Sequence, residues 1–180
     1  MSIYKKINKN GFTIIELIVV VAIIAVLASI VIFNVNGYIN KAKDAKRVGD
    51  LKQIQKALEL YKMDHGGYPN TGGPPNWRSE CAAWGSLAPN DVIPGITSSY
   101  LGSFPSDPSM DKANSQCCYL YTSDGTDFAL LAHGCTKINY ASQPSLIDPA
   151  RDGGTNGCIV DGNGTNIWAW KISSPGGICW

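Results

Sequence analysis

Residues 11–33 read GFTIIELIVVVAIIAVLASIVIF, and from Phe12 to Phe33 only Thr13, Glu16 and Ser29 interrupt the apolar run. A helix needs about 20 such residues to cross a bilayer. The ten residues before it, MSIYKKINKN, are polar and carry Lys5, Lys6 and Lys9. Positive charge just ahead of an apolar span holds that end in the cytoplasm, so the remainder is expected outside. Glu16 is the anomaly. A carboxylate inside an apolar span costs about 2.5–3.5 kcal/mol on insertion scales, so a chain that keeps one needs a partner for it.

Outward from this stretch, no proline occurs before Pro69, and the pattern predicts one helix over 12–63. Its first half is apolar all round, as a membrane or bundle-core helix must be. Its second half is amphipathic: Tyr38, Ala42, Ala45, Val48, Leu51, Ile54, Leu58 and Tyr61 recur at spacings of three and four. Lys41, Lys43, Lys46, Arg47, Lys52 and Lys56 fill the other faces. Asn34, Asn36 and Gly37 are poor helix formers, so a kink or local unwinding is expected there. His65-Gly66-Gly67-Tyr68-Pro69 carries the glycine-then-proline punctuation of a helix end. Turn-rich loops follow, with a short helix expected near 81–87. Two β-prone runs, 117–122 and 127–132, flank Ser123-Asp124-Gly125-Thr126 and predict a hairpin. A last strand is expected at 166–172, paired with 158–160.

The formal net charge of +1 conceals an asymmetry: residues 34–63 hold seven bases against three acids, and residues 64–180 five bases against ten acids. The basic helix face next to the span suits lipid headgroups, and contact with DNA is the lesser reading. All six cysteines, Cys81, Cys117, Cys118, Cys135, Cys158 and Cys179, lie after residue 64. An even number in an exported, loop-rich segment predicts disulfides. Vicinal residues of a strand point to opposite faces. The expected pairing is Cys117 or Cys118 with Cys135, closing the hairpin, Cys158 with Cys179, closing a C-terminal loop, and Cys81 with the vicinal cysteine left on the other face. No CxxC occurs, and His65 and His133 lack zinc-ligand spacing. Asp161-Gly162-Asn163-Gly164-Thr165-Asn166 alternates oxygen ligands with glycine, which makes Asp161 and Asn163 the calcium candidates. The loop lacks the spacing of an EF-hand, and a polar turn is the simpler reading. Asn163-Gly164-Thr165 is also a glycosylation sequon. Trp168, Trp170 and Trp180 are read as core aromatics rather than an adhesive surface. No nucleophile elbow, phosphate loop or metal-hydrolase motif appears, so neither a catalytic residue nor a cofactor is expected.

Gly11-Phe12-Thr13-Ile14-Ile15-Glu16-Leu17 resembles the prepilin cleavage and methylation signature of the type IV pilins and type II secretion pseudopilins. An ordinary signal peptide would have a shorter apolar core and a small-residue cleavage site. A plain membrane anchor would not explain the order Gly-Phe-Thr-x-x-Glu at the junction. The resemblance implies that a prepilin peptidase cuts between Gly11 and Phe12 and N-methylates Phe12. It also implies that Glu16 pairs with the N-terminal amine of a neighbouring subunit. Asp50-Leu51-x-x-Ile54-x-x-Ala57-Leu58-Glu59-x-Tyr61 with Gly67-Tyr68-Pro69 is similar to the helix end of major pseudopilins. Tyr100-Leu101, Phe104-Pro105-x-Asp107-Pro108, and Cys118-Tyr119-x-Tyr121 with Asp124-Gly125 match their next landmarks. Ser109-Met110 stands where those pseudopilins usually carry Trp-Gly, and the six cysteines are foreign to them.

These readings imply an α+β, pilin-like fold: a long N-terminal helix packed on a small antiparallel sheet, with disulfide-stabilised C-terminal loops. The expected organisation is a cleaved leader (1–11), a transmembrane and filament-core half-helix (12–33), an amphipathic half-helix (34–63) and an extracellular domain (64–180). The expected role is a structural subunit of a type IV pilus-like filament serving adhesion, motility or DNA uptake. A type II secretion pseudopilin and a membrane-tethered, non-polymerising binding domain are the alternatives. Implied partners are copies of itself and other pilins, the prepilin peptidase, and an inner-membrane assembly platform with its ATPase. The expected location is a single-pass cytoplasmic membrane protein before assembly and a surface filament after it.

Overall fold

The computed structural model describes residues 11–96, 98–134, 144–146, 148–150 and 169–180; the side chains of 30–36 and 144 lie outside the description. Helix α1 runs from Ile14 to His65. Strands β1 (Cys118–Ser123), β2 (Phe128–His133) and β3 (Ala169–Ser173) form an antiparallel sheet in the order β1-β2-β3. The chain divides into two compact units, one ending at Lys41 and the other from Ala42 to Trp180. The fold is α+β and pilin-like, as the pattern implies.

In the unit up to Lys41 the helix carries apolar side chains on every side from Leu17 to Ala28, and its backbone runs through Asn34–Gly37 without local unwinding. Phe12, Ile14, Ile15, Leu17 and Ile18 are each more than 60% exposed.

In the unit from Ala42 the same helix buries one face. Leu51, Ile54, Ala57 and Leu58 pack in one cluster with Tyr119, Tyr121, Phe128, Leu130, Ala132, Trp170 and Ile172 of the sheet. Those strand residues alternate, as side chains on a pleated strand must. The intervening Cys118, Leu120, Leu131 and Ala169 face the other way, under Cys81, Trp77, Trp84 and Met110. The sheet is thus covered on both faces. Tyr38, Ala42 and Ala45, expected on the buried stripe, are exposed, and Val48 is only partly buried. Burial begins at Arg47, because the sheet and the 104–107 loop reach no further along the helix.

The helix ends where Gly66 takes φ +77° and its N–H bonds Lys62 O at 2.8 Å, a conformation glycine reaches at no steric cost. At Gly67 a Cβ would lie 2.7 Å from Gly125 O, so glycine lets the chain approach the hairpin, which Tyr68 N then bonds at Gly125 O (2.8 Å). The hairpin sits one residue later than expected, with Ser123 paired to Phe128. Asp124 Oδ1 accepts the N–H groups of Thr126 and Asp127, both at 2.8 Å, and this ends β1. The helix expected near 81–87 is a single 3₁₀ turn, Ala82–Trp84. Residues 166–168 and the expected strand 158–160 lie outside the described residues.

Candidate processing and assembly site

Helix α1 starts with Thr13 as its N-cap. The Thr13 hydroxyl donates to Glu16 Oε2 (2.7 Å), Thr13 N–H donates to the same oxygen (2.8 Å), and Glu16 N–H donates back to the hydroxyl (3.3 Å). This reciprocal pair is a capping box, satisfying two first-turn N–H groups that have no partner inside the helix. The Thr-x-x-Glu spacing ahead of an apolar run is a sequence signature of it. The carboxylate that the apolar run seemed to strand therefore has two donors within its own chain.

Gly11 and Phe12 are exposed, Phe12 at 87%. A Cβ at Gly11 would meet nothing within 4 Å. Nothing in the described chain requires glycine there, so any requirement for it comes from what acts on the bond. Among the described residues, no helix is long and apolar enough to cross a membrane. The expected span of 12–33 runs into residues whose side chains lie outside the description.

A second functional feature escaped the sequence reading. Arg47, grouped there with the solvated lysines, is 3% exposed. Its Nε and Nη2 donate to the two oxygens of Asp107 at 2.6 and 2.9 Å, and Nη1 donates to Asp44 at 2.8 Å. These two carboxylates outweigh burial and raise the guanidinium above its ordinary value. Asp107 also accepts Ser109 N–H at 2.7 Å. One helical turn on, Asp50 takes Lys46 Nζ at 2.5 Å and the Tyr119 hydroxyl at 2.8 Å. Burial pushes the Tyr119 hydroxyl well above the usual phenol range, and the neighbouring Asp50 adds to it. Lys46 Nζ also reaches Ser106 O at 3.1 Å. The Arg47–Asp107 ion pair and the Lys46 hydrogen bond thus brace the helix to the 104–109 loop, and the Tyr119 hydrogen bond to Asp50 braces it to β1. The clue was an arginine among lysines combined with an Asp-Pro dipeptide, but the partners lie 60 residues apart.

Cys81 is disulfide-bonded to Cys118 beneath the sheet, with Cα atoms 6.2 Å apart. Cys117 and Cys179 are also in disulfides, and the expected partners Cys135 and Cys158 lie outside the described residues. So do the calcium candidates Asp161 and Asn163 and the sequon. Among the described residues no group of three metal-ligating side chains is found. His133 stacks edge-on with Trp84 at 4.7 Å. Trp170 is buried in the core, and Trp180 is half-buried. A cavity of about 330 Å³ borders Lys52, Gln55, Leu146 and Lys171. Its buried amine is engaged: Lys171 Nζ donates to Asp148 (3.3 Å), Ile178 O (2.7 Å) and Trp180 O (2.9 Å).

The family model of the prokaryotic N-terminal methylation motif matches residues 6–32. Over 67 residues the chain is 40% identical to type II secretion system core protein G of Aeromonas hydrophila, which covers 37% of this chain and 47% of that protein. It is 44% identical over 64 residues to core protein G of Escherichia coli K12 (36% and 44% covered). With core protein G of Vibrio cholerae it shares 44% identity over 68 residues (37% and 47%). The chain spans less than half the length of these curated relatives. No solved structure matches. Its N-terminal segment carries the prokaryotic N-terminal methylation motif and is similar to the corresponding part of these secretion proteins.

Proposed function

We propose that this chain is a filament subunit of the type II secretion pseudopilus kind, structural rather than catalytic. The identity of 40–44% to core protein G carries the reading. It reverses the order set by the sequence, where six cysteines and Ser109-Met110 weighed toward a pilus subunit. Those features sit in the loop-rich part after the helix, where proteins of one architecture vary most. The apolar helix sets how subunits pack. A pilus subunit remains the second reading, favoured by the cysteines.

The leader to Gly11 is removed by a prepilin peptidase, and Phe12 becomes the methylated N-terminus. Residues 12–33 hold the subunit in the cytoplasmic membrane and then join the filament core, with the domain from residue 64 outside. Partners are copies of the chain, other pilins, the peptidase, and an assembly platform with its ATPase. Glu16 exchanges its Thr13 donors for the Phe12 amine of a neighbouring copy, so the carboxylate has a partner at each stage.

Mass spectrometry of the mature N-terminus tests processing: N-methyl-Phe12 is expected, and an intact Met1 in peptidase-competent cells refutes it. Deletion of the gene should abolish exoprotein secretion; intact secretion with loss of surface filaments would select the pilus reading. Glu16→Ala should be cleaved normally yet assemble poorly, and a normal filament yield would end the pairing argument.

A further inference from the structure

The basic face of the helix is not a uniform solvated surface. Asp44 is spent on Arg47, Asp50 on Lys46 and Tyr119, and Glu59, exposed on the same side as Lys52 and Lys56, accepts the Tyr68 hydroxyl at 2.8 Å. Arg47 and Lys46 are spent with the two aspartates. Lys52 and Lys56 are exposed, and neither forms an ion pair with a described residue. At 100° per residue they project from the side of the helix opposite Leu51, Ile54 and Leu58, Lys52 bordering the cavity that Lys171 and Ile172 of β3 also line. Two lysines against one carboxylate leave this exposed side of the helix net positive.

The complementary charge lies at the β1–β2 turn. Asp124 is exposed, and its carboxylate accepts the N–H groups of Thr126 and Asp127. The half-buried Asp127 carboxylate accepts the Ser174 hydroxyl (2.6 Å) and Gly176 N–H (3.0 Å), both at Oδ1. Neither forms an ion pair with a described residue. Backbone donors hold the Asp124 carboxyl below its ordinary value, so it stays ionised over the working pH range.

Within one chain these charges cannot meet. The turn is tied to the helix end through Tyr68 N and Gly125 O. At about 1.5 Å per residue, His65 lies about 14 Å beyond Lys56 and about 20 Å beyond Lys52 along the helix. A parallel copy displaced by about that distance brings its turn level with the two lysines.

We propose that Lys52 and Lys56 of one copy dock the Asp124–Asp127 turn of a second copy, which fixes the axial offset between neighbouring subunits outside the apolar core. The proposal rests on the filament reading and adds the surface that reads one subunit against the next. Anionic lipid is disfavoured as the partner: Lys52 lies three turns beyond Lys41, whereas a headgroup layer is only about 5–8 Å deep.

The test uses assembled filaments from a mixture of ¹⁴N- and ¹⁵N-labelled full-length chains, joined by a zero-length carbodiimide and mapped by mass spectrometry. Mixed-isotope peptides linking Lys52 or Lys56 to Asp124 or Asp127 are expected. Filaments whose lysines link elsewhere, or not at all, would overturn the docking surface and leave the filament reading standing. Failure of the mature chain to form filaments would overturn both. Separately, Lys52→Glu with Lys56→Glu should lower filament yield about tenfold or more. Peptide mapping of the Cys81–Cys118 disulfide checks that this variant folds. If the variant instead assembles normally but no longer sediments with anionic phospholipid vesicles, the partner is lipid and the proposal falls.

Discussion

The two halves of helix α1 have opposite relations to their surroundings. From Phe12 to Leu27 the large apolar side chains are mostly exposed, and the acid among them is held by its own cap. From Arg47 to Leu58 the helix buries not only leucine and isoleucine but also an arginine and an aspartate. The first half keeps what an isolated chain would be better without, and the proposed function gives those side chains a bilayer and then other helices to meet. The second half answers to its own sheet and loops. Changes in the first half should therefore alter processing and assembly without touching stability, and changes on the buried face of the second half the reverse.

Gly11→Val is the most severe test. A side chain there meets nothing in the chain, so the thermal midpoint should match that of the parent. Cleavage should nevertheless fall below detection on immunoblots of peptidase-competent cells, because a branched residue keeps the backbone out of a close-fitting protease cleft. A lowered midpoint would break the comparison at its first half.

The second half is tested at Asp107. Its carboxylate is 1% exposed and takes two bonds from Arg47. Asp107→Ala leaves that guanidinium buried with Asp44 alone, and breaking a buried pair in this way costs about 3–5 kcal/mol. Urea unfolding of the domain should register that loss. Replacing both partners with apolar residues, Arg47→Met with Asp107→Leu, should recover most of it, since well-packed apolar pairs often match buried ion pairs. A loss below about 1 kcal/mol, as exposed pairs show, would mean that the brace is no more than a surface contact.

The contrast also explains what could be read in advance. The helix, expected over 12–63 and found over 14–65, was legible because apolar periodicity and the Gly66-Gly67 stop are local signals. The hairpin was legible for the same reason, and its one-residue shift comes from Asp124 folding back on Thr126 and Asp127. The processing residues were legible as a motif, but their cap geometry was overlooked although the same letters encode it. Arg47 was not legible. A basic residue in a row of lysines is normally solvated, and only tertiary packing brings Asp107 to it. The exposure of Ala45 is the mirror case: small apolar residues continue the stripe past the point where the sheet ends.

The smallest expected effect sharpens the comparison at Tyr119, which is 3% exposed and donates to Asp50. Burial and that carboxylate raise its ionisation above the usual value, and burial does the same for Tyr121. A raised pKa means that the stabilisation is complete below the unfolded tyrosine value near 10. It is lost as pH climbs past that value, because the unfolded chain releases protons that the folded one keeps. Each such tyrosine steepens the decline by about 1.4 kcal/mol per pH unit. Tyr119→Phe should cost about 1 kcal/mol at neutral pH for the lost hydrogen bond. Between about pH 10 and 11.5 its stability should fall less steeply than the parent's, so the two curves converge. Urea midpoints across that range measure it. Parallel curves would mean that Tyr119 ionises as freely in the folded chain as in the unfolded one, and that the second half of the helix is less enclosed than its ion pairs imply.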